Sequence, residues 1–167
     1  MIRVFKGHEC TIYQASFSPD DQQIILGSCD NTATVWTVEG EKLLTLSAHT
    51  NGVSAASFSH DGQYMLTGSF DKTAILWDRK GTALVTFKGH SDEINQAEFS
   101  ANGEYVLTAA EDATAKLWDL HGSLIETFGV LGDVEYTEAT FSADGRYAIV
   151  SSKDNNIIFW QLANNKN

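Results

Sequence analysis

Residues 48–88 read AHTNGVSAASFSHDGQYMLTGSFDKTAILWDRKGTALVTFK. Val53 to Ser59 alternates small and apolar residues, His60-Asp61-Gly62 turns, and Tyr64 to Ser69 makes a second run. A tight turn at Phe70-Asp71-Lys72 leads into Thr73 to Trp77, and Arg79-Lys80-Gly81 turns again before Leu84 to Phe87. Short runs bounded by Gly, Asp and Asn are strand and hairpin signals, and no helical periodicity competes with them. The stretch therefore predicts four short strands.

The same pattern fills almost the entire chain. Tryptophans at 36, 77, 118 and 160 are spaced by 41, 41 and 42 residues. Asp30, Asp71, Asp112 and Asp154 each precede their Trp by six positions. Phe17, Phe58, Phe99 and Phe141 each close an Ala-x-Phe-Ser unit that begins at Ala15, Ala56, Ala97 or Ala139, and His8, His49 and His90 stand nine positions before the Phe. A period in this range marks a repeat architecture. The expectation is an all-β, single-domain chain (1–167) of four repeats at about 7–47, 48–88, 89–129 and 130–162.

The 167 residues carry 22 Asp and Glu against 11 Lys and Arg, a formal net charge of −11, and 43% of them are apolar. That apolar share supplies material for a core and argues against intrinsic disorder. The acidic balance argues against nucleic acid and anionic membrane surfaces as partners, because both are bound through Lys and Arg. No apolar run approaches the roughly 20 residues of a membrane span, and the N-terminal residues lack a signal-peptide core. A soluble cytoplasmic protein is expected. Cys10 and Cys29 are too few for a disulfide scaffold or a four-cysteine zinc site, and free thiols are expected. Charge is unevenly spread: 12 of the acidic residues lie between Ser91 and Gly145, where Lys116 is the one basic residue.

The Gly-His pairs (Gly7-His8, Gly89-His90), the Ser-x-Asp turns (Ser28-Cys29-Asp30, Ser69-Phe70-Asp71) and the Trp-Asp pairs (Trp77-Asp78, Trp118-Asp119) resemble the WD40 repeat of β-propellers. The outer repeats depart from it with Trp36-Thr37 and Trp160-Gln161, and the fourth has Val130-Leu131-Gly132 in place of Gly-His. The resemblance implies four-stranded propeller blades. It also implies a buried relay of His49, Thr67, Asp71 and Trp77, repeated as His90, Thr108, Asp112 and Trp118. The first repeat keeps His8, Asp30 and Trp36 but has Leu26 at the hydroxyl position; the fourth keeps Asp154 and Trp160 but has Val150 there. Linking these polar groups offsets the cost of burying each alone. A nucleophile is needed once, whereas this set recurs with the period, so no catalytic residues are assigned. Histidines from different blades do not converge on one metal, and no phosphate loop occurs, so no cofactor is expected. Ala15, Ala56, Ala97 and Ala139 leave the first strands without the polar lining that a channel ligand requires.

Repeat phase bears on assembly. Ile2 to His8 matches Leu84 to His90, a fourth strand leading into the next unit, whereas the last repeat stops after its third strand. Residues 2–6 are therefore expected to complete the last blade, of the same chain or of a partner. Four blades closing on themselves each cover about 90° of arc, against about 45–51° in rings of seven or eight. Two copies closing as an eight-bladed homodimer remove two exposed strand edges; a four-bladed monomer and a larger or mixed ring are the alternatives. The resemblance implies a non-catalytic scaffold that binds protein or peptide segments on its loop face. Phe70, Glu93, Glu111, Asp133, Glu135 and Lys153 are the candidate contacts, the acidic ones suiting a basic segment. A structural unit without a dedicated ligand and a propeller hydrolase are the competing readings.

Overall fold

The structure, a computed structural model, describes residues 4–129, 136–152 and 157–162. Its strands form four antiparallel sheets in chain order. The first contains β1 (Ile12–Phe17), β2 (Gln23–Ser28), β3 (Ala33–Thr37) and β4 (Lys42–Leu46), and the second β5 (Val53–Phe58), β6 (Tyr64–Ser69), β7 (Thr73–Asp78) and β8 (Ala83–Lys88). The third contains β9 (Ile94–Phe99), β10 (Tyr105–Ala110), β11 (Thr114–Asp119) and β12 (Leu124–Gly129); the fourth has β13 (Tyr136–Phe141), β14 (Tyr147–Ser152) and β15 (Ile157–Gln161).

Turn chemistry accounts for the regular meander. Ser18, Ser59, Ser100 and Ser142 each donate a side-chain hydrogen bond to Asp20, Asp61, Asn102 or Asp144. Each serine hydroxyl also accepts the first amide of the next strand, at 2.9–3.0 Å. This local closure competes with continued extension and reverses the chain. It leaves one residue left-handed, which is glycine at Gly62 (φ 67°), Gly103 (φ 71°) and Gly145 (φ 67°), where a Cβ would be strained.

The sheets stack through three apolar layers, each drawn from two consecutive sheets. Ile25, Val35 and Leu46 meet Val53, Met65 and Trp77. Leu66, Leu76 and Phe87 meet Ile94, Val106 and Trp118, and Leu107, Leu117 and Phe128 meet Ala139, Val150 and Trp160. The outermost strand of one sheet thus caps the tryptophan of the next, as Phe87 does Trp118 (ring centroids 5.7 Å apart) and Phe128 does Trp160 (4.9 Å). Trp36 receives the same contact from Phe5 at 5.8 Å, although residues 4–8 belong to no strand.

None of the three layers joins the fourth sheet to the first, and the burial pattern marks both as ends. Leu107, Ala115 and Leu117 of the third sheet are 0–6% exposed, whereas their counterparts Ile149, Ile157 and Phe159 in the fourth are 37%, 73% and 60% exposed. At the other end Ile12 is 44% exposed where Val53 and Ile94 are fully buried.

Three of the four inner-strand alanines do not face a channel, and Ala15, in the first sheet, is exposed. Ala56, Ala97 and Ala139 are buried in the layers against the preceding sheet. The intervening residues are polar and tie neighbouring inner strands together. Gln14 Oε1 accepts the Ala56 amide at 2.7 Å, Ser16 Oγ donates to the Ala56 carbonyl at 3.1 Å, Ser54 Oγ donates to the Ile94 carbonyl, and Glu98 Oε1 accepts the Phe141 amide at 2.6 Å. The expectation of an apolar inner lining is corrected. Strand alternation had only to be read one residue out of phase.

Candidate functional site

In the second sheet, His49 Nδ1 meets Asp71 Oδ2 at 2.9 Å, His49 Nε2 meets Thr67 Oγ1 at 2.8 Å, and the Trp77 indole N–H donates to the same hydroxyl at 2.9 Å. The third sheet repeats the chain through His90, Asp112, Thr108 and Trp118 at 2.7–2.9 Å. Because the indole can only donate, the hydroxyl donates onward to Nε2, and the imidazole proton sits on Nδ1 facing the carboxylate.

The first sheet also contains a complete chain. Its hydroxyl comes from Thr34 on β3, with Oγ1 2.7 Å from His8 Nε2 and 2.8 Å from the Trp36 indole nitrogen, while His8 Nδ1 lies 2.7 Å from Asp30. Leu26 and Thr34 are cross-strand partners, as Thr67 and Ile75 are in the second sheet. Hydroxyl and aliphatic side chain have exchanged strands. Reading by column misses this exchange, and the signal that reveals it is the antiparallel pairing. Asp154 lies outside the described residues; Trp160 is half-buried against Phe128.

Burial opposes ionisation of Asp71, but bonds from Thr73, the Thr50 amide and His49 outweigh it and hold the carboxyl below its ordinary value. Asp112 is shifted down likewise, by His90, Thr114 and the Ser91 amide against its burial, as is Asp30 by Thr32 and His8. Burial lowers the His49 pKa despite Asp71 and keeps the ring neutral. Thr67 and Thr108 are fully buried, so neither hydroxyl can reach a substrate carbonyl. Among the described residues no three His, Cys, Asp or Glu side chains converge to hold a metal ion.

Family comparison places this geometry. The WD40 profile, described as WD domain, G-beta repeat, matches residues 1–37, 40–78, 81–119 and 132–161. The chain belongs to the WD40 family. No curated protein matches it. The second and third matched units each run from the outermost strand of one blade, β4 or β8, to the third strand of the next, and the first match begins at the corresponding place in the repeat, ahead of β1. In the Trp-Asp signature, Asp78 Oδ1 accepts the amides of Lys80 and Thr82, each at 2.8 Å, closing the β7–β8 hairpin, and Asp119 does the same for His121 and Ser123. Thr37, which replaces Asp in the first blade, accepts the Glu41 amide through Oγ1 at 3.2 Å.

The relays position one face of the blades. Backbone bonds from Cys29 to Thr11 (3.0 Å), Phe70 to Gly52 (2.9 Å) and Glu111 to Glu93 (2.9 Å) fasten each β2–β3-type turn to the segment leading into its inner strand. Phe70, Glu93 and Glu111 therefore stand on this face in adjacent blades. Phe70 packs edge-on against Tyr13 of the preceding blade, ring centroids 5.2 Å apart. Gly52 lies beneath the pair, where a Cβ would come within 3.2–3.4 Å of Phe70, Tyr13 and Cys29. Lys72 reaches across to the third blade, 3.6 Å from Asp92 and 2.7 Å from the Ser91 carbonyl. Asp133, Glu135 and Lys153 lie outside the described residues.

The free thiols expected at Cys10 and Cys29 are corrected, since the two form a disulfide with Cα atoms 5.5 Å apart. They occupy the leading segment and the turn that the Cys29–Thr11 bond brings side by side. In the other blades the same places hold Asn51 with Phe70 and Asp92 with Glu111. The pairing was present in the repeat register, but chain separation concealed it.

Proposed function

We propose that this WD40 chain is a non-catalytic scaffold, a closed eight-bladed ring of two copies that binds a basic protein segment on its loop face. WD40 repeats serve protein–protein interaction in general. The observation that carries the ring is the match between its two ends. The fourth blade leaves Ile149, Ile157 and Phe159 uncovered, the first leaves Ile12 and Phe17 uncovered, and Phe5 already caps Trp36 as an outer strand does. Contiguous exposed apolar surface beside an unpaired strand edge calls for a partner. A second copy supplies both at once: residues 2–6 pair with β15, and the first blade covers Phe159. Isologous closure needs no further component.

On the loop face, Asp92, Glu93 and Glu111 stand in the blade next to that of Phe70, with Lys72 of the Phe70 turn 3.6 Å from Asp92. Such a field accelerates association with Lys- and Arg-rich segments and orients them, while the aromatic pair offers an anchor. Light scattering tests the ring, with twice the mass of one chain expected; a monodisperse single chain overturns it. Fluorescence anisotropy with a labelled Lys/Arg-rich peptide tests the face. Glu93→Lys with Glu111→Lys should abolish salt-sensitive binding, and unchanged binding would reject the acidic site.

A further inference from the structure

We propose that Cys10 and Cys29 form a thiol–disulfide exchange site through which a low-molecular-weight disulfide controls how firmly the N-terminal segment is held for ring closure. The inference rests on the ring reading above. Cys10 lies two residues beyond His8, at the root of the segment that carries Phe5, and it is exposed. Cys29 immediately precedes Asp30, the carboxylate that holds His8.

In the second and third blades this root is also held by a backbone bond, from Thr50 to Asp71 at 2.9 Å and from Ser91 to Asp112 at 2.8 Å. Among the described residues Glu9 makes no such bond to Asp30, whose side chain is 26% exposed against 9% and 6% for Asp71 and Asp112. The first blade lacks a preceding blade to bury this corner and has a covalent link in its place. When the link is open, the root is held by the His8 relay, the Cys29–Thr11 backbone bond and the contact of Phe5 with Trp36.

Oxidation begins at Cys10, the more exposed of the two residues. Its thiolate attacks the small disulfide and releases one small thiol, leaving a mixed disulfide; the Cys29 thiolate then displaces the second small thiol and closes the protein disulfide. Two protein thiols are oxidised, the small disulfide is reduced to two thiols, and the protons lost on thiolate formation pass to those products. In a compartment that keeps thiols reduced, such as the cytoplasm, the pair rests open until such an oxidant accumulates.

Ordering one root residue costs roughly tenfold in an equilibrium constant, and the two-fold ring contains two roots. The dimer dissociation constant should therefore rise about 100-fold on reduction. Sedimentation equilibrium of the full chain in oxidised glutathione and in reduced dithiothreitol reads this directly, with mass spectrometry reporting the bond. Cys10→Ser should match the reduced protein in both conditions. Equal dissociation constants for the two states, or thiols that glutathione disulfide leaves unoxidised, overturn the proposal. If the chain is monomeric in both states the ring reading fails instead. The exchange site is then judged by tryptic cleavage after the exposed Lys6, which oxidation should slow; equal cleavage rates overturn it.

Discussion

The exchange of hydroxyl carrier in the first blade can be tested by Thr34→Val. The substitution preserves shape at a residue that is 1% exposed and replaces the hydroxyl with a methyl group. Two buried groups then lose their partner, the Trp36 indole N–H and His8 Nε2. An unsatisfied buried polar group costs about 1–3 kcal/mol, so the expected loss is about 2–4 kcal/mol. For a chain of this length that lowers Tm by roughly 5–12 °C. The decisive variant is the double substitution Leu26→Thr with Thr34→Ile, which recreates the Thr67 and Ile75 arrangement of the second blade. Urea and thermal unfolding of wild type, both single variants and the double complete a double-mutant cycle. The double variant should recover to within about 1 kcal/mol of wild type. A Thr34→Val protein within 0.5 kcal/mol of wild type, on the scale of ordinary surface substitutions, would refute the reasoning. So would a double variant whose loss is the sum of the singles.

Other outcomes follow from the same contacts. Phe159→Glu, at a side chain 60% exposed, should convert the proposed dimer to a folded monomer by light scattering with unchanged circular dichroism; a dimer that survives would place the interface elsewhere. Stability should decline with acid in two stages. His49, kept neutral in the fold, costs stability as pH falls below its ordinary value of 6.5, since the unfolded chain takes up the proton first. Asp30 and Asp71 are held below their ordinary 3.8, and the stability they contribute above that value is lost as pH falls through their lower folded values. Urea midpoints that stay level between pH 7 and pH 3 would contradict both stages. Gly52→Ala should displace the Phe70 ring, because the added Cβ sits 3.2 Å from it, with an expected loss of about 1 kcal/mol; an unchanged near-ultraviolet spectrum and Tm would show that the loop face has slack there.

Much of the fold was legible because it is local. The Ser-x-Asp-Gly and Asp-x-Lys-Gly turns encode their own hydrogen bonds, and β1 to β15 fall on the runs that alternation predicts. The participants at the site were legible as recurring columns, but their contacts were not. Phe70 was visible as an aromatic in a turn, whereas its engagement by Tyr13 depends on how two blades stack. Cys10 and Cys29 were visible as a pair 19 residues apart, and only the hydrogen bond between their loops makes them neighbours.

By itself, the sequence determined the period, the runs that become β1 to β15, the turn types and the identity of the His, Asp and Trp columns. Each follows from side-chain alternation and turn chemistry within a few residues. The tertiary structure alone decided that Thr34 stands in for a hydroxyl at Leu26, that Ala56, Ala97 and Ala139 face the preceding blade, and that Cys10 is bonded to Cys29. It also decided that Phe159 of the fourth sheet and Ile12 of the first are exposed where their counterparts in the inner sheets are buried. These are relations between strands or between sheets, set by register and stacking, and neither quantity has a value until the chain has folded.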